Sequence, residues 1–362
     1  MEIEKTGGRE KIDRHEFGFP DSYCETELGS GKGYEAGRVT AQEKGVYTLM
    51  SESGEHLAEI SGKMRYRAQS ALDLPAVGDF VLADCGGIQD RAVIHRILPR
   101  KSVFVRRAAG GGGEAQVIAA NIDTVFLCMS LNNDFNIRRL ERYLTAIWDS
   151  GAMPVIVLTK ADLCEDLEER ESEVRAAAFG TEILATSAAE KDSWRKLLPY
   201  ITAGKTAALV GSSGVGKSTL INCLLGEKRL AVNGLRKDDK GRHTTTGRQL
   251  FKISGGGMVI DTPGMRELGL WDAEEGLDRS FSDIIALASE CRFSDCTHTG
   301  EPGCAVREAV LKGGLSQERL SAYQKLKAEN AYFEDSETYL AEKKRKFKDI
   351  AKMNKEYKRT GR

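Results

Sequence analysis

The stretch KTAALVGSSGVGKSTLINCLL, residues 205–225, decides the fold. It opens as an apolar run of buried-strand type and closes as an apolar helical pattern, with a glycine-rich turn between them. Within it the spacing Gly-x4-Gly-Lys-Ser falls on Gly211, Gly216, Lys217 and Ser218. Phosphate oxygens need several backbone N–H donors aimed at one point, and glycines let the chain turn that tightly. The helix that follows presents its N-terminus to the anion. On this pattern Gly211, Ser212, Ser213, Gly214, Val215, Gly216, Lys217, Ser218 and Thr219 cradle phosphates. Lys217 reaches the β- and γ-phosphates, where it also serves catalysis, and Ser218 ligates Mg²⁺. A Gly/Ser turn with a surface lysine is the plainer alternative, and the strand and helix on either side argue against it.

Working outward, strands alternate with helices. NIDTVFLCMSL, MPVIVLTKAD and TEILATSA read as strands upstream of the loop. Between them Ile137, Leu140, Leu144 and Ile147 recur at helical spacing, and a charged helix runs through Glu169 and Val174. A further helix runs through Trp194 and Leu198. Downstream, QLFKI and MVIDTP flank SGGG as a hairpin would. Residues 114–270 are thus expected to form an α/β layer on a mostly parallel sheet.

The strand VIVL ends on Thr159-Lys160-Ala161-Asp162. A carboxylate at Asp162 can accept from guanine N1–H and the 2-amino group. Adenine offers no such pair, so the charge would be left unmatched. Lys160 would lay its stem over the base plane. Thr159 stands where asparagine is common and brings fewer donors. Thr186-Ser187-Ala188 ends the next strand, as an auxiliary base loop does, and Ser187 and Ala188 join the expected site. In most guanine-nucleotide proteins the base motif follows the phosphate loop, whereas here it precedes it.

Asp261-Thr262-Pro263-Gly264 follows the strand MVI. Asp261 would hold Mg²⁺ through a water, and the Gly264 N–H would sense the γ-phosphate. GRHTTT, residues 241–246, lies in a polar loop suited to a first switch, with Thr245 or Thr246 on Mg²⁺. Met265 occupies the position where many such enzymes carry a water-orienting glutamine. His243 is the candidate replacement, because an imidazole can orient or deprotonate water near neutral pH. A contact with solvent or a partner is its simpler role.

CRFSDCTHTGEPGC supplies Cys291, Cys296, His298 and Cys304 with spacing C-x4-C-x-H-x5-C. Three thiolates and one imidazole suit one tetrahedral Zn²⁺, and a closed set of four marks a structural site. The remaining five of the eight cysteines are scattered and read as small apolar side chains.

Residues 33–107 show five short strand-like runs, GYEAGRVTA, GVYTLMS, HLAEISGKMRYRA, VGDFVLADC and AVIHRIL. They suit a small closed barrel, an OB fold or an SH3-like one. AAGGGG, residues 108–113, reads as a linker. Residues 1–32 are polar and Gly-rich and are expected to lack fixed structure. Helical stretches surround the metal cluster over 271–340. A basic tail over 341–362 holds ten Lys or Arg against three Asp or Glu, in a chain whose net charge is only −1. That tail suits phosphate contacts, as a solvated charged helix also would. No apolar run is long enough to span a bilayer, and the N-terminus lacks a signal-peptide core, so a cytoplasmic, membrane-free protein is expected.

Taken together, the reversed motif order, GRHTTT, DTPG and the Cys₃His cluster resemble the ribosome small-subunit-dependent GTPase A (RsgA) family. The resemblance runs from about Gly33 to the tail. It implies an N-terminal OB fold, a circularly permuted P-loop GTPase domain and a mainly helical C-terminal zinc domain. It also implies GTP contacts at 159–162 and 211–219, and zinc on the four cluster residues. The implied role is late maturation of the small ribosomal subunit, with hydrolysis of GTP to GDP stimulated by that subunit and its rRNA, by a protein taken to be a monomer. The permuted order joins the switch half of the domain covalently to the zinc module, so nucleotide state is expected to bear on that module. A GTP-gated RNA-binding scaffold with incidental hydrolysis is the main alternative, kept open by Met265. A metabolic kinase or ATPase is a third, opposed by Asp162.

Overall fold

The computed structural model describes residues 12–20, 33–43, 45–86, 91–107, 115–132, 134–187, 189–227, 248–261 and 274–330. The chain divides into two compact units, 1–269 and 270–362.

The first unit begins with a barrel of β1 (Glu35–Glu43), β2 (Val46–Ser51), β3 (Gly54–Ile60), β4 (Phe80–Asp84) and β5 (Arg91–Ile97). Neighbours run β1-β2-β3-β5-β4, and β4 pairs back onto β1 through Arg38↔Phe80 and Glu35↔Ala83. Only β3 and β5 are parallel. This is the OB arrangement, and closure removes the open edges that a small sheet would expose. Alternation fills the interior: β2 is buried at every second residue, and Val39, Tyr47, Leu49, Ala58, Val81 and Ile94 form the core. A register shift between Val39 and Ala41 gives β1 the extra bend that closure needs.

Two expectations change here. HLAEISGKMRYRA is not one strand. It breaks at Ser61, whose Oγ accepts the Met64 N–H at 3.2 Å and caps α1 (Gly62–Arg67). Ser is a strong N-cap, and Lys, Met and Arg after it are good helix formers. Residues 12–20, within the segment expected to lack structure, are ordered. Arg14–Phe17 forms a 3₁₀ turn capped by Asp13, and Phe17 and Phe19 are buried, Phe19 edge-on to Phe80 at 5.2 Å. Burial of two aromatic rings offsets the ordering entropy that the polar composition suggested would win.

Next come β6 (Val103–Arg107) and β7 (Ala115–Ala120), which pair antiparallel with Arg107 opposite Ala115. The glycine run read as a linker lies outside the described residues, yet the strands flanking it belong to one hairpin.

The nucleotide layer follows: β8 (Thr124–Ser130), α2 (Ile137–Asp149), β9 (Met153–Thr159), α3 (Leu167–Ala177), β10 (Glu182–Ala185), a 3₁₀ helix (Ser193–Tyr200), β11 (Thr206–Val210), α4 (Lys217–Leu225), β12 (Arg248–Lys252) and β13 (Met258–Asp261). Strand order is β10-β9-β8-β11-β13-β12. All pairs are parallel except β12 with β13, the hairpin read from SGGG. Every residue of β8 and of β11 is buried, as a parallel sheet covered on both faces requires. α2 packs on β8 and β9, and α4 packs with the 3₁₀ helix.

The two sheets are continuous, because β12 also pairs with β1 at Ala41↔Gln249 and Gln42↔Arg248. Arg38 pins the seam. It is 1% exposed and donates to Phe17 O and Thr206 Oγ1 at 2.8 Å, and to Gly78 O and Asn121 O at 3.3 Å. A buried guanidinium is tolerated only when its donors are engaged in this way.

The second unit contains α5 (Glu274–Ser280), α6 (Ser282–Ala288), α7 (Ala305–Leu311) and a helix over 317–330, around Phe281, Ile284, Val306, Leu320 and Tyr323. Arg319 ties it together: it donates to both Asp283 oxygens at 2.9 Å and lies over the Phe281 ring at 4.5 Å. Among the described residues no helix is long and apolar enough to cross a membrane.

Candidate functional site

The phosphate loop leaves β11 and enters α4 with three glycines at positive φ: Gly211 at 143°, Gly214 at 75° and Gly216 at 103°. At Gly211 a side chain has no room, since a Cβ there would lie 2.2 Å from Cys128 O. The loop therefore folds back on the end of β8. Lys217, the first residue of α4, donates Nζ to Gly211 O and Ser212 O, both at 2.6 Å. Ser213 and Gly214 are exposed at the loop's tip, while Val215 is buried beneath it. The first N–H groups of an α-helix lack intrahelical carbonyl partners, so the start of α4 is suited to meet an anion.

Two side chains near Lys217 feel its charge. Burial pushes the Cys128 thiol up to about 12, with Lys217 opposing. Burial also raises Asp261, at the end of β13, and Lys217 again pulls the other way. A carboxyl whose charged form burial makes costly, beside a phosphate loop, is suited to a cation.

The base motif meets this loop directly. Thr159, the last residue of β9, is buried and donates Oγ1 to Val215 O at 2.6 Å. Its single hydroxyl thus braces the phosphate loop from the base side. Lys160 takes the left-handed conformation at φ 58°, which turns the chain into a 3₁₀ turn over Ala161–Leu163. Ala161 N–H donates to Thr186 O at 3.2 Å, joining the motif to the loop after β10. Ser187 Oγ donates to Asp162 Oδ1 at 2.5 Å. This bond fixes the direction of an exposed carboxylate and leaves Oδ2 for another donor.

Ser193 was not singled out from the sequence, yet it holds Ser187 from both sides. Its Oγ accepts from Ser187 N at 3.1 Å and donates to Ser187 O at 2.6 Å. It is 6% exposed at the start of the 3₁₀ helix. Nothing in KDSW distinguishes this serine from a surface one, because its partner is a backbone brought near by the sheet.

Ala188, His243, Thr245, Thr246, Gly264 and Met265 lie outside the described residues, as do Thr262, Pro263 and the basic tail. The described part of the site is therefore the phosphate loop, Thr159–Asp162, Ser187 and Asp261.

In the second unit the ligand atoms of Cys291, Cys296, His298 and Cys304 lie within 4.8 Å of one another. His298 Nδ1 is 3.7 Å from Cys291 Sγ and 3.5 Å from Cys304 Sγ, and these two sulfurs are 3.9 Å apart. A tetrahedral ion with metal–sulfur bonds of about 2.3 Å needs ligand separations of about 3.8 Å. The donor set and its spacing therefore fit one four-coordinate ion. The loop is braced: His298 stands at φ 60°, and Glu301 accepts from Thr297 N at 2.8 Å, Gly300 N at 2.9 Å and Thr299 N at 3.0 Å. The hydrogen bonds from Thr297 and its neighbours hold the Glu301 carboxyl far below the usual range.

Comparison with known proteins agrees with this geometry. Residues 97–271 match the profile of the RsgA GTPase family. The chain is 50% identical over 309 residues to the small ribosomal subunit biogenesis GTPase RsgA 2 of Lactiplantibacillus plantarum, covering 85% of this chain and 87% of that protein. It is 44% identical over 323 residues to the corresponding RsgA 1 of Oceanobacillus iheyensis, covering 88% and 92%. Among solved structures, YjeQ from Thermotoga maritima aligns with TM-score 0.62 at 28% identity, covering 81% of this chain and 97% of that one. YloQ, described as a circularly permuted GTPase, aligns with TM-score 0.60 at 25% identity, covering 85% and 97%.

Proposed function

We propose a function from one premise: this chain belongs to the RsgA GTPase family and is a GTP-hydrolysing enzyme. Its relatives are named for small ribosomal subunit biogenesis, and our reading is that this protein binds the same subunit and its rRNA in the cytoplasm. It hydrolyses GTP to GDP and phosphate there, faster when the subunit is bound.

One observation carries the nucleotide part of this reading. Thr159 Oγ1 bonds Val215 O at 2.6 Å and Ser187 bonds Asp162 at 2.5 Å, so the guanine motif and the phosphate loop form one hydrogen-bonded site despite their reversed order. In our assignment Asp162 accepts from guanine, Lys160 covers the base plane, and Ala161, Ser187 and Ala188 line its edge. Residues 211–219 wrap the phosphates with backbone N–H groups, and Lys217 leaves its two loop carbonyls to neutralise the β- and γ-oxygens. Ser218, Asp261 and Thr245 or Thr246 would hold Mg²⁺, which supplies charge neutralisation between the phosphates when bound. The Gly264 N–H reports the γ-phosphate, and His243 orients the attacking water in place of the absent glutamine. Zn²⁺ held by Cys291, Cys296, His298 and Cys304 is structural, since no ligand position is left open.

The test is GTP turnover at fixed enzyme, alone and with purified small subunits, at low and high salt. We expect a large stimulation that falls with salt, as phosphate contacts demand. Equal turnover with and without subunits would favour the scaffold reading, which Met265 supports.

A further inference from the structure

Helix α1 carries a surface that the nucleotide site does not use. Its six residues read Gly62-Lys63-Met64-Arg65-Tyr66-Arg67, three cations with no acid. Met64 packs on the barrel interior and anchors the helix. Ser61 N–H donates to Ile94 O at 2.8 Å, which fixes its start against β5. Helical periodicity then sets the outward face. Tyr66 lies nearly opposite Met64, Lys63 shares its face one turn earlier, and Arg65 and Arg67 flank it by about 100° on either side.

Lys63, Arg65, Tyr66 and Arg67 are all exposed. Tyr66, at 92%, is the most exposed large apolar side chain among the described residues. Three cations in or just after the barrel are paired by contrast: Arg91 with Glu59, Arg100 with Asp79 and Lys101 with Asp123. Among the described residues the three cations of α1 have no carboxylate partner.

An aromatic ring at the centre of an unpaired cationic fan matches one kind of partner. A membrane surface needs a longer helix with a continuous apolar face. A protein interface also enriches tyrosine and arginine, but around an apolar core poor in lysine and in charge overall, whereas here three cations surround a single ring. RNA offers both complements at once, a π-face for the ring and phosphates for the cations. The base must be unpaired, because stacking within a helix hides its faces.

We propose that Tyr66 stacks on an unpaired nucleobase of RNA while Lys63, Arg65 and Arg67 bind the adjoining phosphates. This rests on the RNA-facing part of the function proposed above and names the barrel residues that carry it. The test uses the full chain with two probes: a fluorescent, unstructured RNA oligonucleotide and purified small subunits. Tyr66→Ala should weaken binding to both by about tenfold, while Tyr66→Trp and Tyr66→Phe stay near the unchanged protein. Arg65→Gln with Arg67→Gln should flatten the salt dependence. GTP affinity should be unchanged in every variant, which checks folding. If the unchanged protein binds both probes and Tyr66→Ala binds them equally well, the stacking assignment is wrong. If Tyr66→Ala loses subunits but keeps the oligonucleotide, the face meets a ribosomal protein and the RNA assignment falls. If the unchanged protein binds neither probe, the RNA-facing function itself fails and takes this inference with it.

Discussion

Ser193 clamps the backbone of Ser187, and Ser187 in turn aims Asp162, so in the base pocket we propose guanine reading would depend on a residue that never touches the base. Removing that hydroxyl leaves a buried N–H and C=O without their partner, a cost on the order of 1–3 kcal/mol. Ser193→Ala is therefore expected to weaken GTP binding roughly tenfold, with kcat nearly unchanged and Ser193→Thr partly restoring affinity; isothermal titration and turnover read the split. Asp261 illustrates the opposite balance. Its pKa is raised by burial, so the folded chain holds its proton more tightly than the unfolded one. The stability it contributes is full below the unfolded value and is lost as pH rises through the folded one. Asp261→Asn should accordingly raise Tm at neutral pH without nucleotide, flatten the loss of stability as pH rises from the unfolded carboxylate value through the raised folded one, and abolish Mg²⁺-dependent turnover. A lower Tm for that variant would show that the carboxylate is a structural group. Asp162, Lys217 and Asp261 were legible because each belongs to a short motif whose chemistry fixes its spacing. Ser193 and Arg38 were not, since their partners are backbone atoms distant in sequence.

At the scale of elements, strands and helices with strong periodicity were readable: β8, β9, β11 and α2 fall where the apolar spacing puts them. The misses came where local chemistry overrode pattern. Ser61 converted the end of an apparent strand into α1, and Phe17 and Phe19 ordered a stretch whose composition suggested none. The Cys₃His loop was legible as a ligand set, and its four donors converge as expected. Metal binding to such a loop contributes about 10 kcal/mol to folding. We expect about one Zn²⁺ per chain by elemental analysis. Chelation, or Cys304→Ser, should unfold the loop and expose residues 274–330 to protease while GTP binding by the first unit persists. Unchanged protease resistance after complete metal removal would show that the loop holds its shape without an ion.

For the whole molecule, the reversed motif order and the sheet order are two views of one fact. The phosphate-loop strand β11 stands between β8 and β13, so it has base-motif strands on one side and switch strands on the other whichever half is made first. Permutation moves the chain ends without moving the pocket. It also places β12 against β1, so the barrel is hydrogen-bonded to the strand that follows the polar switch loop. That junction was not legible, because pairing between domains leaves no periodicity in either strand.

The central claim is that Asp162 reads guanine beside a phosphate loop that follows it in the chain. Competition binding of GTP, ATP and XTP to the unchanged protein and to Asp162→Asn tests it most directly. Xanthine carries a 2-oxo acceptor where guanine carries a 2-amino donor, and an amide can match it where a carboxylate cannot. The unchanged protein should prefer GTP over ATP and XTP by orders of magnitude, and Asp162→Asn should lose GTP and gain XTP. Equal GTP affinity in the two proteins would contradict the assignment of the base pocket.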